Sequence, residues 1–334
     1  MAEIKRVLIT GITGFVGSHL ADFILADSPD VQISGLARWR APKDNIQHIL
    51  DKITLEPGDL QDLPSLIAVL SKQKPDVIFH LAAQSYVPFS FTAPVATLST
   101  NVIGTCNLLE AVRELKNSSG YDPIIHICSS SEVYGQVRKN EVPIKEKNPF
   151  RPASPYAVSK VAEDMLAFQY WLSWRIKTIR TRMFTHTGPR RGEVFAESTF
   201  ARQIAAIEAE LSPPLVKVGN LESIRTFLDV RDAVKAYWLL VEKCPPGEVY
   251  NIGGVETMTV GAMLDKLLTL AKVKNIKVKV EPERLRPSDV TLQIPCIDKF
   301  TEATGWKPVI KFDKTLADTL DYWRDYFKGR LQGS

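Results

Sequence analysis

The stretch Arg6-Val7-Leu8-Ile9-Thr10-Gly11-Ile12-Thr13-Gly14-Phe15-Val16-Gly17 decides the fold. Its first five residues are mostly apolar and β-branched and run into a glycine, the pattern of a strand buried on both faces of a parallel sheet. Three glycines at intervals of three then open a helix expected over about 14–26. Glycines in that place permit a tight turn, let the backbone approach a pyrophosphate without a Cβ in the way, and allow close helix–strand packing. The unpaired N–H groups of the first helical turn meet the anion.

Outward from this unit the same alternation continues. Val31 to Ala37 reads as a strand, Leu63 to Lys72 as a helix, Val77 to Ala82 as a strand, and Val95 to Glu114 as one long helix. Ile124 to Cys128 adds a strand, Ser154-Pro155 caps and opens another helix, and Thr178 to Arg182 gives a further strand. The fold class is therefore α/β, a Rossmann-type doubly wound parallel sheet with a smaller C-terminal lobe. Residues 1–182 form the dinucleotide-binding part, with its sheet completed within 226–254 by the buried strand Val249 to Ile252. Residues 183–225 and 255–330 form the lobe.

Composition narrows the function. The chain has 334 residues, 45% of them hydrophobic and 24% charged, with 42 Lys plus Arg against 38 Asp plus Glu. That is an ordinary globular composition with a net charge of only +4 and no basic arm, so neither disorder nor nucleic-acid coating is expected. Cys106, Cys128, Cys244 and Cys296 are far apart and read as reduced core thiols. No apolar stretch reaches spanning length and no signal peptide is visible, so no membrane is expected and the cytoplasm is the expected compartment. No cluster has metal-ligand spacing, and no metal is expected.

Further motifs carry chemistry. After the second strand the sequence reads Arg38-Trp39-Arg40, where an acid would normally hold the adenosine ribose of NAD. A guanidinium there suits a 2′-phosphate, so NADP(H) is expected, with NAD(H) as the alternative. Gly58-Asp59-Leu60 offers an Asp either to an adenine amino group or to a turn. Tyr156 and Lys160 stand at i and i+4 on one face of the capped helix, so the ammonium can lower the phenol pKa and make Tyr156 a usable acid/base. Ser129-Ser130-Ser131-Glu132 follows a strand at the carboxyl edge, where such sheets bind ligands, and a hydroxyl there can polarise a sugar carbonyl.

On Gly11-x-x-Gly14-x-x-Gly17, Asp59-Leu60, His80-Leu81-Ala82-Ala83, Asn101, Ser130 and Tyr156 with Lys160, the chain resembles the extended short-chain dehydrogenase/reductases over nearly its whole length. Within them it is most similar to the enzymes that turn GDP-mannose into GDP-6-deoxy sugars, the GDP-mannose 4,6-dehydratases and the GDP-4-keto-6-deoxymannose reductases. Leu81-Ala82-Ala83-Gln84-Ser85, Ser130-Ser131-Glu132 and Pro189-Arg190-Arg191-Gly192-Glu193 resemble the dehydratases. Ser85-Tyr86-Val87-Pro88, Phe200 to Ile204, Gly219 to Glu222 with Arg225, and Thr304 to Pro308 resemble the reductases.

The resemblance implies a GDP-mannose 4,6-dehydratase, with a 4-reductase or epimerase as the alternative and a noncatalytic NADP-binding scaffold as the third class. It implies Ser130, Ser131, Glu132, Tyr156 and Lys160 as catalytic residues. The cofactor would be held by Gly11, Thr13, Gly14, Phe15, Val16, Gly17, Arg38, Asp59, Leu60, Leu81, Ala82, Ala83, Asn101, Tyr156, Lys160 and His186. The GDP-linked hexose would be held by Ser85, Thr185, Arg191, Val218, Arg225, Arg286 and Asp289. Thr185-His186 stands where both enzymes usually show Asn-His, and Arg38-Trp39-Arg40 replaces a longer arginine loop by which dehydratases bridge subunits. A homodimer through the long helices is implied, with a tetramer left open.

Overall fold

The computed structural model describes residues 3–285, 290 and 292–332. Its centre is a seven-stranded sheet. In chain order the first six strands are β1 (Arg6–Thr10), β2 (Gln32–Ala37), β3 (Thr54–Pro57), β4 (Val77–His80), β5 (Ile124–Ser130) and β6 (Lys177–Met183). From one edge the order is Val249–Ile252, β6, β5, β4, β1, β2, β3, and every pair is parallel. The order reverses between β1 and β4, so the loops leaving those two strands diverge and open a crevice at their carboxyl ends. The glycine loop leaves β1 there.

The expected strands and helices are present to within a residue or two at most ends. One expectation is corrected. The long helix over 95–114 is three pieces, Pro94–Leu98, a π turn over Ser99–Ile103, and the helix Gly104–Ser119. The π turn carries Asn101, whose amide bonds Gln84 and Ser159 instead of facing solvent. An extra residue in a turn re-aims a side chain, which periodicity alone does not reveal.

Two apolar cores flank the site. The sheet core joins Val7, Ile9 and Phe79 to the helices at Phe15–Asp27 and Val230–Lys243. A second core gathers Phe200, Ile204, Val216, Val218, Leu264, Leu316 and Trp323 from the C-terminal half. Its strands are short: Leu215–Val218 pairs with Lys277–Val280, and Ile224–Thr226 lies between Thr257–Thr259 and Leu292–Gln293. The four cysteines are free, as expected, but only Cys244 is fully buried.

Candidate active site

The first turn after β1 is built by its glycines. Gly11 has φ of +74°, and a Cβ there would stand 3.0 Å from the Ala82 backbone. A Cβ on Gly17 would lie 2.3 Å from the Gly11 carbonyl oxygen and 2.7 Å from the Ile12 Cα. Gly14 caps the helix Phe15–Asp27 and brings no side chain to its first-turn N–H groups, which leaves them for an anion. Gly17→Ala is accordingly expected to destabilise the protein by about 1–3 kcal/mol through this backbone clash. It should also lose NADPH binding, read as absent enhancement of nicotinamide fluorescence. A variant that binds NADPH normally would contradict this packing.

The loop after β4 is fixed from β1. The Thr10 hydroxyl accepts the N–H groups of Leu81 and Ala82, both at 3.1 Å, and lies 3.0 Å from Nδ1 of buried His80. Asn101 then accepts from the Gln84 N–H and donates to the Gln84 carbonyl and the Ser159 hydroxyl. Both its N–H bonds are committed, so it ties this loop to the helix Pro155–Trp174; that is a holding role in place of the cofactor contact expected. Asp59 completes a turn, with Oδ1 accepting from the Gln61 N–H at 3.0 Å, and its side chain is exposed. Leu60 is buried, its carbonyl accepting from Asn107. Arg38 is exposed at the end of β2 beside Arg40, whose guanidinium stacks 4.3 Å from the Trp39 ring.

The groups for acid/base work come from β5 and the following helix. Ser154 caps that helix, its hydroxyl accepting from the Ala157 N–H at 3.0 Å, and Pro155 starts it, as the sequence implied. Tyr156 is 9% exposed, with the Ser130 hydroxyl close enough to act on its phenol. The Ser130 hydroxyl also accepts the Glu132 N–H at 3.2 Å, which brings Glu132 to the same edge, half-buried. Lys160 places Nζ 6.0 Å from the Tyr156 ring centre and donates to the Cys128 carbonyl at 2.9 Å. Burial raises the Tyr156 phenol, while Lys160 and the Ser130 hydroxyl act to lower it. Ser131 is not part of this set. Its buried hydroxyl donates to Gln293 at 3.0 Å, so it fastens β5 to the second core, a correction to its expected catalytic role.

The loop 188–192 divides its two arginines. Arg190, at φ of +69°, donates to Asp22 at 2.6 Å, to His19 Nδ1 at 2.9 Å and to the Asn45 carbonyl at 3.0 Å. It pins the loop to the first helix. Arg191 lies with its guanidinium 3.5 Å from the Phe195 ring centre and 5.1 Å from that of Phe15, close enough to feel Tyr156 and Glu197. His186 stacks on Phe15, with ring centres 5.9 Å apart. Its Nδ1 faces the Phe184 carbonyl, and its buried Nε2 has no partner. Thr185 is half-buried beside it, and Ser85 is exposed on the loop after β4.

These observations fit a dinucleotide: a cradle that a Cβ would fill, an uncapped helix N-terminus, and an unpartnered imidazole nitrogen against Phe15. Arg225 lies half-buried in the short strand Ile224–Thr226. Val218 is a correction. Its side chain is fully buried in the second core and its carbonyl accepts the Glu281 N–H, so it offers a sugar nothing. Arg286 and Asp289 lie outside the described residues. Sequence reasoning passed over Glu163, a buried carboxylate 2.9 Å from Lys160; a carboxylate three residues after a lysine on one helix face was the available signal.

Residues 8–319 match the family model described as GDP-mannose 4,6 dehydratase. The chain belongs to this family. It is 32% identical over 320 residues to GDP-6-deoxy-D-mannose reductase of Pseudomonas aeruginosa, covering 96% of this chain and 97% of that one. It is 33% identical over 354 residues to GDP-mannose 4,6-dehydratase of Yersinia enterocolitica, covering 95% and 93%. Among solved structures, RMD from Pseudomonas aeruginosa complexed with NADPH superposes with a TM-score of 0.82 at 31% identity, over 96% of this chain and 99% of that one. UDP-glucose 4-epimerase of Thermotoga maritima does so with a TM-score of 0.84 at 25% identity, over 96% and 99%. The expected Rossmann fold and the expected kinship to the extended short-chain dehydrogenase/reductases are both borne out.

Proposed function

We propose that the protein is a GDP-mannose 4,6-dehydratase that uses NADP(H). The observation that carries this reading is Glu132 on the same short turn as Ser130, whose hydroxyl accepts the Glu132 N–H and lies close enough to Tyr156 to pull its phenol down. Water loss across C5 and C6 needs a carboxylate beside the oxidation site, and this turn supplies one. When bound, a nicotinamide would supply the hydride chemistry, as acceptor at C4 and donor at C6, so that the cofactor would not be consumed. Tyr156 takes the C4 hydroxyl proton while Ser130 holds the oxygen. Glu132 takes the C5 proton and passes it to the leaving C6 hydroxyl, which departs as water. Tyr156 then returns its proton to C5. The net change is loss of one water and a keto group at C4.

The phosphate end is served by Arg38 at the close of β2, which supports NADP(H), and the solved relative carrying NADPH agrees. Arg191 and Arg225 would pair with the diphosphate of the sugar nucleotide. Val158, Met165, Phe168 and Leu172 form an exposed apolar stripe at spacings of seven, three and four along the helix Pro155–Trp174. A second copy would cover it, which supports a homodimer. Among the described residues no helix is long and apolar enough to cross a membrane. Free cysteines suit a reducing compartment such as the cytoplasm.

A second reading has its own support. The alignment with the reductase runs over 320 residues and that with the dehydratase over 354 at nearly equal coverage of this chain, so the dehydratase match is the more interrupted. In a 4-reductase Tyr156 would protonate the C4 oxygen and NADPH would be spent in each turnover. Incubation with GDP-mannose and a trace of NADP⁺, without reductant, separates the two. A product lighter by one water is expected. Unchanged GDP-mannose, with NADPH oxidised only when the 4-keto-6-deoxy sugar is supplied, would establish the reductase.

A further inference from the structure

Lys160 has a partner that the proposed reaction does not use. Its Nζ donates to Oε2 of Glu163 at 2.9 Å as well as to the Cys128 carbonyl. The two side chains are 6% and 1% exposed, and the other carboxylate oxygen, Oε1, is buried with no hydrogen-bond partner. A buried carboxylate satisfied on one oxygen is costly, and an apolar residue of similar size would avoid that cost. Fold stability is therefore a poor reason for an acid at this position.

The surroundings explain how the pair is charged. Burial pushes the Glu163 carboxyl up to about 7 against the pull of Lys160. Burial alone would lower Lys160, but Glu163, Tyr156 and Cys128 hold it above the usual lysine range. Both directions describe one order of titration, in which the carboxyl takes a proton near neutrality and the ammonium keeps its charge throughout. The neighbouring groups do not alter that order. Asp164 on the same helix is held by Arg180 and Arg182 from β6. The Cys128 thiol on β5 is raised by burial, and His80 on β4 and His126 on β5 are kept neutral by burial.

We propose that Glu163 is a positioning residue for the Lys160–Tyr156 pair: it holds the ammonium at the Cys128 carbonyl and, by passing between carboxylate and carboxyl, sets how much of the ammonium's field reaches the phenol. Ionised, Glu163 cancels most of the lysine's charge and Tyr156 remains a weak acid. Protonated by solvent, it leaves the ammonium unopposed and Tyr156 becomes a stronger one. No bond other than O–H forms or breaks. The inference rests on Tyr156 being the acid/base group of the proposed function, and its test uses neither sugar nucleotide nor cofactor, so failure of one is distinguishable from failure of the other.

The test is an NMR pH titration of the full chain labelled with ¹³C at the oxygen-bearing tyrosine ring carbon, with Tyr156 assigned by its absence in Tyr156→Phe. In the unaltered protein the Tyr156 signal should show a minor inflection near neutrality, ahead of the phenol's own titration. Glu163→Gln keeps the size of the side chain and an oxygen acceptor for Lys160. There the neutral inflection should vanish and the phenol midpoint fall by about one pH unit. An unchanged midpoint in Glu163→Gln overturns the proposal, and so does an unaltered protein without the neutral inflection. The second measurement decides alone should the variant fail to fold.

Discussion

Tyr156→Phe is expected to lower turnover by about three orders of magnitude while the protein folds and binds NADPH as before. The ring is buried and stays buried without its oxygen, so packing is kept. What is lost is the hydroxyl on which Lys160 and Ser130 act, on the ring that Lys160 faces at 6.0 Å. Lys160 still bonds the Cys128 carbonyl in the variant, so the cofactor pocket keeps its charge. The check is steady-state water loss from GDP-mannose together with a fluorescence titration of NADPH. A variant retaining a tenth or more of the activity would move the acid/base role to Ser130 or Glu132.

The second large effect concerns acid. Burial holds His19 at about 4 and His80, His126 and His186 at about 3, against an ordinary 6.5. Their folded pKa values are depressed, so the unfolded chain binds more protons below 6.5. Stability is then present above 6.5 and is lost as pH falls toward 4 and 3. At pH 5 each histidine has cost about 2 kcal/mol, or about 8 together. Glu163 acts in the opposite sense. Its folded value is raised to about 7, so its protonation between 7 and 4.5 offsets about 2 kcal/mol. The expected net loss between pH 7 and 5 is about 6 kcal/mol, a large share of a typical folding free energy. Urea midpoints across that range check it, and a flat profile would show that the buried imidazoles take up protons without unfolding.

How much of this was legible in the sequence depended on whether the signal was local. The glycine loop, the Ser154-Pro155 start and the i, i+4 pair of Tyr156 and Lys160 are each written in one short run, and each stands where the run placed it. Arg190 and Arg191 are adjacent and read alike, yet one pins a loop to Asp22 and the other turns toward Phe15 and Phe195. That division depends on a left-handed φ at Arg190, which no side-chain pattern reports. Resemblance puts Ser131 and Val218 in the site, whereas both are committed to packing between distant segments. The small strands of the second core pair across long separations, Leu215–Val218 with Lys277–Val280, where neither partner is informative alone.

The measurement that tests the central claim most directly follows the hydride. GDP-mannose carrying deuterium at C4 is incubated with the protein and a trace of NADP⁺, and the product is read by mass and NMR. A 4,6-dehydratase returns the label within one turnover, so the account predicts a product short of one water with deuterium in the C6 methyl group. Deuterium remaining at C4 in unchanged GDP-mannose, with no water lost, would contradict it.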